Sequence, residues 1–138
     1  MTDIDVVLID DDDNVRWILQ EILSLENISH RAAGTGPEGL GLIKEHKPHL
    51  AILDVKLGTM NGLDVAKKIP DICSYTKILF ITGYSEVIKE KIDDFHYVAG
   101  VIEKPFNISE FLKKIKDILS EGQALNIGYR KKTIIASN

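Results

Sequence analysis

The chain has 138 residues and a formal net charge of −4, with 44% hydrophobic and 28% charged residues. These values suit one folded domain, offer no bulk positive charge for nucleic acid, and include no apolar run of the roughly 20 residues that span a bilayer. Residues 1–5 lack the basic and apolar regions of a signal peptide. Cys73 is the only cysteine, so we expect a cytoplasmic protein without internal disulfides.

Five short apolar runs predict the strands of a parallel sheet. They span residues 6–9, 29–33, 50–53, 78–81 and 98–102. Four of the runs are continuously apolar, which is typical of strands buried on both faces. The run 29–33 is more polar, so we expect it at an edge of the sheet.

Amphipathic segments between these runs predict helices. The apolar stripes are Val15, Ile18, Leu19, Ile22 and Leu25; then Val87, Ile88, Ile92 and Phe95; and finally Ile108, Phe111, Leu112, Ile115, Ile118 and Leu119. Thr35 caps a helix that reaches about His46, Asn107 caps the last helix, and a short helix after 61–62 stops near Pro70.

The alternation of strands and helices predicts a doubly wound α/β domain. We expect a five-stranded parallel sheet in the flavodoxin-like order 2-1-3-4-5, with about five helices. The pattern ends near Ser120. The domain is therefore expected to span 1–121, and 122–138 to be a tail or the stub of a linker.

Chemically suggestive side chains follow the predicted strands. In an open parallel sheet, ligands bind beyond the carboxyl ends of the strands. The residues found there are Asp10, Asp11, Asp12, Asp13, Asp54, Thr82, Glu103, Lys104 and Pro105. Asp12 and Asp13 are interpreted as helix-cap or turn residues.

A cluster of carboxylates at this edge predicts metal-assisted phosphoryl chemistry. Clustered carboxylates stay ionised only beside a cation, and oxygen ligands favour a hard ion such as Mg²⁺. A carboxylate can also act as a nucleophile and form an aspartyl phosphate, with a lysine and a hydroxyl balancing the transferring charge. The chain has no Gly-rich phosphate loop, so the donor is not expected to be a nucleotide held here.

Four stretches resemble the receiver domain of two-component response regulators: 7–12, 54–62, 81–84 and 103–106. The resemblance runs from about Asp5 to Ser120. It implies that Asp54 accepts a phosphoryl group from a phosphohistidine of a sensor histidine kinase or a histidine phosphotransfer protein. The same resemblance implies that Thr82 and Lys104 contact phosphoryl oxygens and that the Lys104–Pro105 bond is cis.

The resemblance also implies a metal site. Mg²⁺ (or Mn²⁺) would be held by Asp10, Asp11, Asp54 and the backbone carbonyl of Lys56, with Asp11 as the principal direct ligand among the acidic pair. The implied function is phosphorelay signal transduction, in which phosphorylation switches partner binding. Such a protein phosphorylates and dephosphorylates itself and is not a turnover enzyme.

Three positions depart from the family pattern. Gly58 stands where the family usually has proline, which is expected to loosen the loop after Asp54. Gly83 replaces a common alanine. Val101 occupies the place of a rotating Tyr or Phe in many members, so switching is expected to differ, and Tyr84 is a candidate to replace that aromatic.

Two positions are candidates for setting the lifetime of the phosphoryl group. Lys56 and Tyr84 each lie two residues beyond an expected site residue, Asp54 or Thr82. The hypothesis is that both flank the path of the attacking water and slow the hydrolysis of phospho-Asp54. The alternative is that both side chains simply point to solvent.

Trp17 and Pro105 are the expected partner surface. Trp17 lies opposite the apolar stripe of the first helix, where an exposed tryptophan suggests a contact, although a neighbouring loop could instead cover it. In the family, the surface around the fourth and last helices often pairs with a second receiver, which would give a homodimer, or with an output partner. Direct nucleic-acid or membrane binding by this domain is not expected.

Three other functions compete with the phosphorelay interpretation. One is a receiver-like interaction scaffold that is never phosphorylated. Another is the N-terminal receiver of a longer transcription regulator. The third is a phosphohydrolase with an aspartyl nucleophile, but its usual second aspartate is replaced here by Lys56.

Overall fold

A five-stranded parallel sheet forms the centre of the molecule. The computed structural model describes residues 4–58, 60–83, 91, 92, 95 and 97–121. The strands are β1 (Val6–Ile9), β2 (His30–Ala33), β3 (Leu50–Asp54), β4 (Lys56–Leu57), β5 (Met60–Asn61), β6 (Lys77–Thr82) and β7 (Val98–Glu103). The sheet has the order β2-β1-β3-β6-β7, and β4 pairs with β5 as a separate antiparallel ribbon. Without that ribbon, this is the predicted order 2-1-3-4-5, with the polar strand at an edge.

Four helices are present among the described residues. They are α1 (Asp13–Leu25), α2 (Gly36–His46), α3 (Gly62–Ile72) and α4, which covers 108–121. Asp12, Thr35, Asn61 and Asn107 each accept a hydrogen bond from a backbone amide of the first turn that follows. These bonds satisfy amides that have no partner inside the helix, which is why the helices begin there. The predicted caps at Thr35 and Asn107, and the interpretation of Asp12 as a cap, are therefore confirmed.

Each face of the sheet carries its own hydrophobic core. Val6 and Leu8 face α1 and α4, in the core that contains Leu19 and Phe111. Their neighbours Val7 and Ile9 point the opposite way, into the core built with α2 and α3. Successive strand residues alternate between faces, so a strand buried on both must be apolar throughout. This arrangement confirms the doubly wound class that the continuous apolar runs predicted.

The helix boundaries and stripes differ from expectation in a few places. Helix α3 ends at Ile72, two residues beyond Pro70, because a proline in the last turn removes only one intrahelical bond. On α1, the buried side chains are Leu19, Ile22 and Leu23. The buried face is thus narrower than the stripe that was predicted. The exposed members of the predicted stripes are Ile18, Leu25 and Ile108.

Several expectations lie outside the described residues. These are the helix expected around Val87 and Ile88, the role of Tyr84, and the tail 122–138. Within the expected helix, Phe95 is described and buried. No helix in the described part of the chain is both long enough and apolar enough to cross a bilayer.

Candidate functional site

Three carboxylates meet at the carboxyl edge of the sheet. Asp10 follows β1 and Asp54 ends β3, and these two strands are hydrogen-bonded neighbours. Asp10, Asp11 and Asp54 each offer a carboxylate oxygen, and these oxygens all lie within 4.8 Å of one another. The strand order therefore assembles a cluster of like charges from distant parts of the sequence.

Asp10 is the most deeply buried member of this cluster, with a residue exposure of 1%. Its Oδ1 accepts a hydrogen bond of 2.9 Å from the Asp12 amide. The pKa of Asp10 is raised above its ordinary value, chiefly by burial. The hydrogen bond from the Asp12 amide and the charge of Lys104 lower this pKa, whereas the charges of Asp54 and Asp11 raise it further. Ionised Asp10 is therefore unfavourable by itself, and a nearby cation would relieve that cost.

Lys104 supplies one cation from the end of β7. Its Nζ lies 2.8 Å from Asp54 Oδ2 and 3.6 Å from Asp10 Oδ2. Burial lowers the pKa of Lys104, but the hydrogen bond to Asp54 and the charges of Asp10 and Asp54 outweigh it, so the pKa is raised overall. At their formal charges, three carboxylates and one ammonium sum to two negative charges. A divalent cation would balance them.

The backbone around Asp54 is fixed by the start of α3. Asp54 Oδ1 accepts a hydrogen bond of 3.1 Å from the Lys56 amide. The Gly62 amide donates to the Val55 carbonyl at 2.6 Å. A Cβ on Gly62 would collide with the Asp54 carbonyl oxygen and lie 2.8 Å from Val55 Cα. Only glycine at position 62 permits this close approach, which holds Asp54 at the edge of the sheet.

Two further groups form hydrogen bonds with Asp10 and Asp11, and neither was predicted from the sequence. The Gly58 amide donates to Asp11 Oδ2 at 2.8 Å. Arg16 Nη1 donates to the Asp10 carbonyl at 2.8 Å, and its Nη2 donates to Asp13 at 2.6 Å. The sequence signal for Arg16 is weak, since it is only an arginine in the first helix after the acidic run. Gly58 was noted in the sequence as a departure from the family pattern, but that departure did not predict its hydrogen bond to Asp11.

Comparisons with known proteins point to one family. The family model described as the response regulator receiver domain matches residues 6–116. This chain belongs to the response regulator receiver domain family.

Two curated relatives differ in how much of their length this receiver covers. It is 25% identical to sporulation initiation phosphotransferase F of Bacillus subtilis over 83% of this chain and 92% of that protein. It is 34% identical to the response regulator ArlR of Staphylococcus aureus over 83% of this chain, but spans only 52% of that protein. A CheY-like receiver structure from Methanospirillum hungatei JF-1 is 28% identical, with a TM-score of 0.81 over 89% of this chain and 98% of its own.

The other expected receiver residues lie at the same edge of the sheet or beside it. Thr82 ends β6 with an exposure of 0%, and its carbonyl accepts from the Lys104 amide at 2.9 Å. Val101 lies in β7 opposite Phe80 and packs, half-buried, against the core formed with α2 and α3. Lys56 is exposed. The roles assigned to these residues in phosphoryl binding, switching and lifetime stay predictions.

An apolar groove opens beside Lys104. Trp17 is 63% exposed, as expected from its position on α1, and the Lys104–Pro105 peptide bond is cis as the resemblance implied. The groove between α1 and the start of α4 is lined by Val15, Ile18, Leu19, Ile22, Lys104, Pro105, Phe106 and Ile108. Ile18 and Ile108, which were expected in the core, instead form part of the exposed wall of this groove.

The carboxylate cluster fits the metal that the family implies. Its three members offer only oxygen ligands. Oxygen ligands suit hard ions such as Mg²⁺ and Mn²⁺ better than they suit softer metal ions. Asp10, Asp11 and Asp54 would hold such an ion between them. The carbonyl of Lys56 as an additional ligand stays a prediction.

Proposed function

We propose that this receiver domain is a phosphorelay regulator. It accepts a phosphoryl group on Asp54 from a phosphohistidine of a sensor histidine kinase or a histidine phosphotransfer protein, and the change in charge switches partner binding. The observation that carries the proposal is the contact of Lys104 Nζ with Asp54 Oδ2 at 2.8 Å, beside Asp10 and Asp11 at one sheet edge. That arrangement pairs a nucleophilic carboxylate with a lysine and a set of metal-ligating oxygens.

The transfer itself needs few parts. An Asp54 carboxylate oxygen forms a bond to phosphorus while the N–P bond of the phosphohistidine breaks. The electron pair of that bond goes to the imidazole nitrogen, which takes up a proton from solvent. A bound Mg²⁺ or Mn²⁺ would supply charge neutralisation for the incoming phosphoryl group. Lys104, which donates to Asp54 Oδ2, would stabilise the same negative charge, and the Lys56 amide would orient Asp54 through Oδ1.

We propose stoichiometric phosphorylation followed by slow self-dephosphorylation, and not enzymatic turnover. An aspartyl phosphohydrolase usually needs a second acid two residues after the nucleophile. That position holds Lys56 in place of the second aspartate. A cytoplasmic location fits this role, because the donor kinases of the family act there.

The apolar groove beside Lys104 is the proposed docking surface for the donor. Ile18 and Ile108 are exposed large hydrophobic side chains in its wall, whereas Trp17 is exposed on α1 but does not line the groove. The groove adjoins Lys104 and Pro105, so a partner seated in it could bring a phosphohistidine toward Asp54. Exposed aromatic and aliphatic residues that flank a reactive group are typical anchors of a protein interface.

A second candidate is the receiver of a longer regulator. It is favoured by ArlR, of which this chain spans about half, and the output of such a protein would then lie in another domain. The extensive coverage of the sporulation phosphotransferase instead favours the phosphorelay role itself. Both candidates use the same chemistry at Asp54, so one experiment tests that chemistry for both.

The test is the intact mass of the protein after incubation with acetyl phosphate, with and without Mg²⁺. We expect a Mg²⁺-dependent gain of one phosphoryl group in the wild type and no gain in Asp54→Asn. The matched control is Asp64→Asn, which makes the same change at an exposed position of α3 and should be phosphorylated normally. Lys104→Met should slow the uptake by at least about tenfold if its ammonium stabilises the transition state.

Other outcomes would contradict the proposal. If neither acetyl phosphate nor a phosphorylated histidine phosphotransfer protein modifies the wild type, the interaction scaffold becomes the better description. Repeated release of inorganic phosphate from phosphate esters, well beyond one equivalent, would instead show a phosphohydrolase.

A further inference from the structure

The backbone amide of Gly58 binds one of the three clustered carboxylates. It donates to Asp11 Oδ2 at 2.8 Å, across 47 positions of the chain. Asp11 is exposed, so packing alone leaves its side chain several rotamers to choose from. The hydrogen bond therefore limits an otherwise mobile carboxylate to one orientation at the edge of the cluster.

The ribbon formed by β4 and β5 aims this amide. Leu57 and Met60 are paired, which places Gly58 first in the two-residue connection between them, and its φ is +61°. Two-residue hairpins favour turns with a positive φ at that position. Residues two apart in an extended segment present their amides to the same side. The Lys56 amide accordingly donates to Asp54 Oδ1, while the Gly58 amide serves Asp11.

Position 58 needs glycine for its backbone conformation and not for lack of room. A Cβ on Gly58 would lie 3.8 Å from Asp11 Oδ2, which is an ordinary contact. A side chain therefore fits, but most L-residues adopt a positive φ only at a cost, and asparagine does so more readily than most. Proline can neither adopt this φ nor donate, because its ring fixes φ near −65° and it has no N–H.

We propose that the Gly58 amide is a positioning group of the metal site, holding Asp11 ready as a ligand. The inference rests on the proposed function, which assigns the carboxylate cluster to a divalent cation. Because Oδ2 of Asp11 accepts the hydrogen bond from the amide, Oδ1 would coordinate the ion. Hydrogen bonds to a ligating carboxylate fix its direction, and losing one commonly lowers metal affinity about 10- to 100-fold.

The first test is calorimetric titration with Mg²⁺ at constant ionic strength. Gly58→Pro removes the donor and should bind Mg²⁺ at least about tenfold more weakly than the wild type. Gly58→Asn keeps the N–H and tolerates the positive φ, so its affinity should stay close to that of the wild type. Unchanged or tighter binding by Gly58→Pro would overturn the proposal, and so would an equal loss in both variants.

A second readout needs neither metal nor the proline variant. In the metal-free protein, Asp11→Ala should move the amide proton resonance of Gly58 to a lower chemical shift, because a hydrogen bond to a carboxylate is lost. Asp64→Ala removes the same charge from the exposed start of α3 and should leave that resonance in place. A Gly58 resonance that ignores Asp11→Ala would contradict the bond and the proposal with it.

The two tests separate this inference from the proposed function. If the wild type binds no Mg²⁺, the metal site fails and the positioning role falls with it. If the wild type binds Mg²⁺ and loses it in Asp11→Asn, but Gly58→Pro binds equally well, only the positioning role is wrong.

Discussion

Asp10, a candidate metal ligand, is expected to weaken the fold at neutral pH because its carboxylate is buried. Its folded-state pKa lies above the ordinary value of 3.8, chiefly because of burial. Since the folded protein then holds the proton more tightly than the unfolded chain, its stability falls as pH rises through the raised pKa. At neutral pH without divalent cations, we expect Asp10→Asn to unfold at a higher temperature than the wild type.

The difference should vanish below about pH 3.8, where Asp10 is protonated in both states. Thermal unfolding followed by circular dichroism in a chelating buffer measures it, with Asp64→Asn as the exposed control. Lys104 does not confuse the comparison, because its folded-state pKa lies above 10.5 and its charge is constant over this range. A lower unfolding temperature for Asp10→Asn would mean that the attraction between Asp10 and Lys104 outweighs the cost of burial.

Lys56 contacts Asp54 through its backbone amide, and its side chain is the subject of the hypothesis on the lifetime of the phosphoryl group. Its amide donates to Asp54 Oδ1, and its side chain is exposed. If the side chain hinders the attacking water, Lys56→Asn should shorten the half-life of phospho-Asp54 several-fold while keeping the amide contact. The half-life is measured by intact mass after the phosphodonor is removed. Lys67→Asn, an exposed lysine of α3, is the control, and an equal half-life in all three proteins would show that Lys56 only faces solvent.

At the scale of elements, the contact between α3 and the end of β3 leaves no room for a methyl group. Gly62→Ala would force a Cβ against the backbone of Asp54 and Val55, which cannot move aside as a flexible side chain could. We expect it to lower the free energy of unfolding by about 1–3 kcal/mol. Chemical denaturation measures this change.

Gly41→Ala is the matched comparison for that prediction. Gly41 lies inside α2, and a Cβ there meets nothing within 4 Å. Alanine costs less backbone entropy in a helix, so this variant should gain about 0.5–1 kcal/mol. Equal effects from the two substitutions would show that the approach of α3 to Asp54 is looser than the contact at Gly62 indicates.

At the scale of the whole molecule, a divalent cation held by the carboxylate cluster would couple its binding to the stability of the fold. A ligand that binds only the folded state stabilises it by about 2.7 kcal/mol at a free concentration of 100 times its Kd. Mg²⁺ should therefore raise the unfolding temperature of the wild type. NaCl at the same ionic strength should raise the unfolding temperature much less, because it screens all exposed charges and does not bind specifically at the cluster. Asp11→Asn should lose most of the Mg²⁺ response, and an undiminished response would place the ion elsewhere.

The architecture of the molecule was readable from local patterns along the chain. Continuously apolar runs predicted strands buried on both faces, and the caps at Thr35 and Asn107 are local hydrogen bonds within one turn. Because right-handed crossovers admit few strand orders, those patterns also predicted which residues follow neighbouring strands. The helix end predicted near Pro70 lies at Ile72, two residues further on, because a proline in the last turn removes only one intrahelical bond.

The sequence alone therefore determined the class of fold and the gathering of Asp10, Asp11, Asp54, Thr82 and Lys104 at one edge. Only the tertiary structure decided how those groups are held. The bonds from Gly58 to Asp11 and from Arg16 to the Asp10 carbonyl depend on one turn's φ and on where a long side chain ends. The exposure of Ile18 and Ile108 was settled in the same way, by which helix faces which. Periodicity and propensity describe neighbours along the chain, whereas these contacts join segments whose spacing is set by the packing of the whole domain.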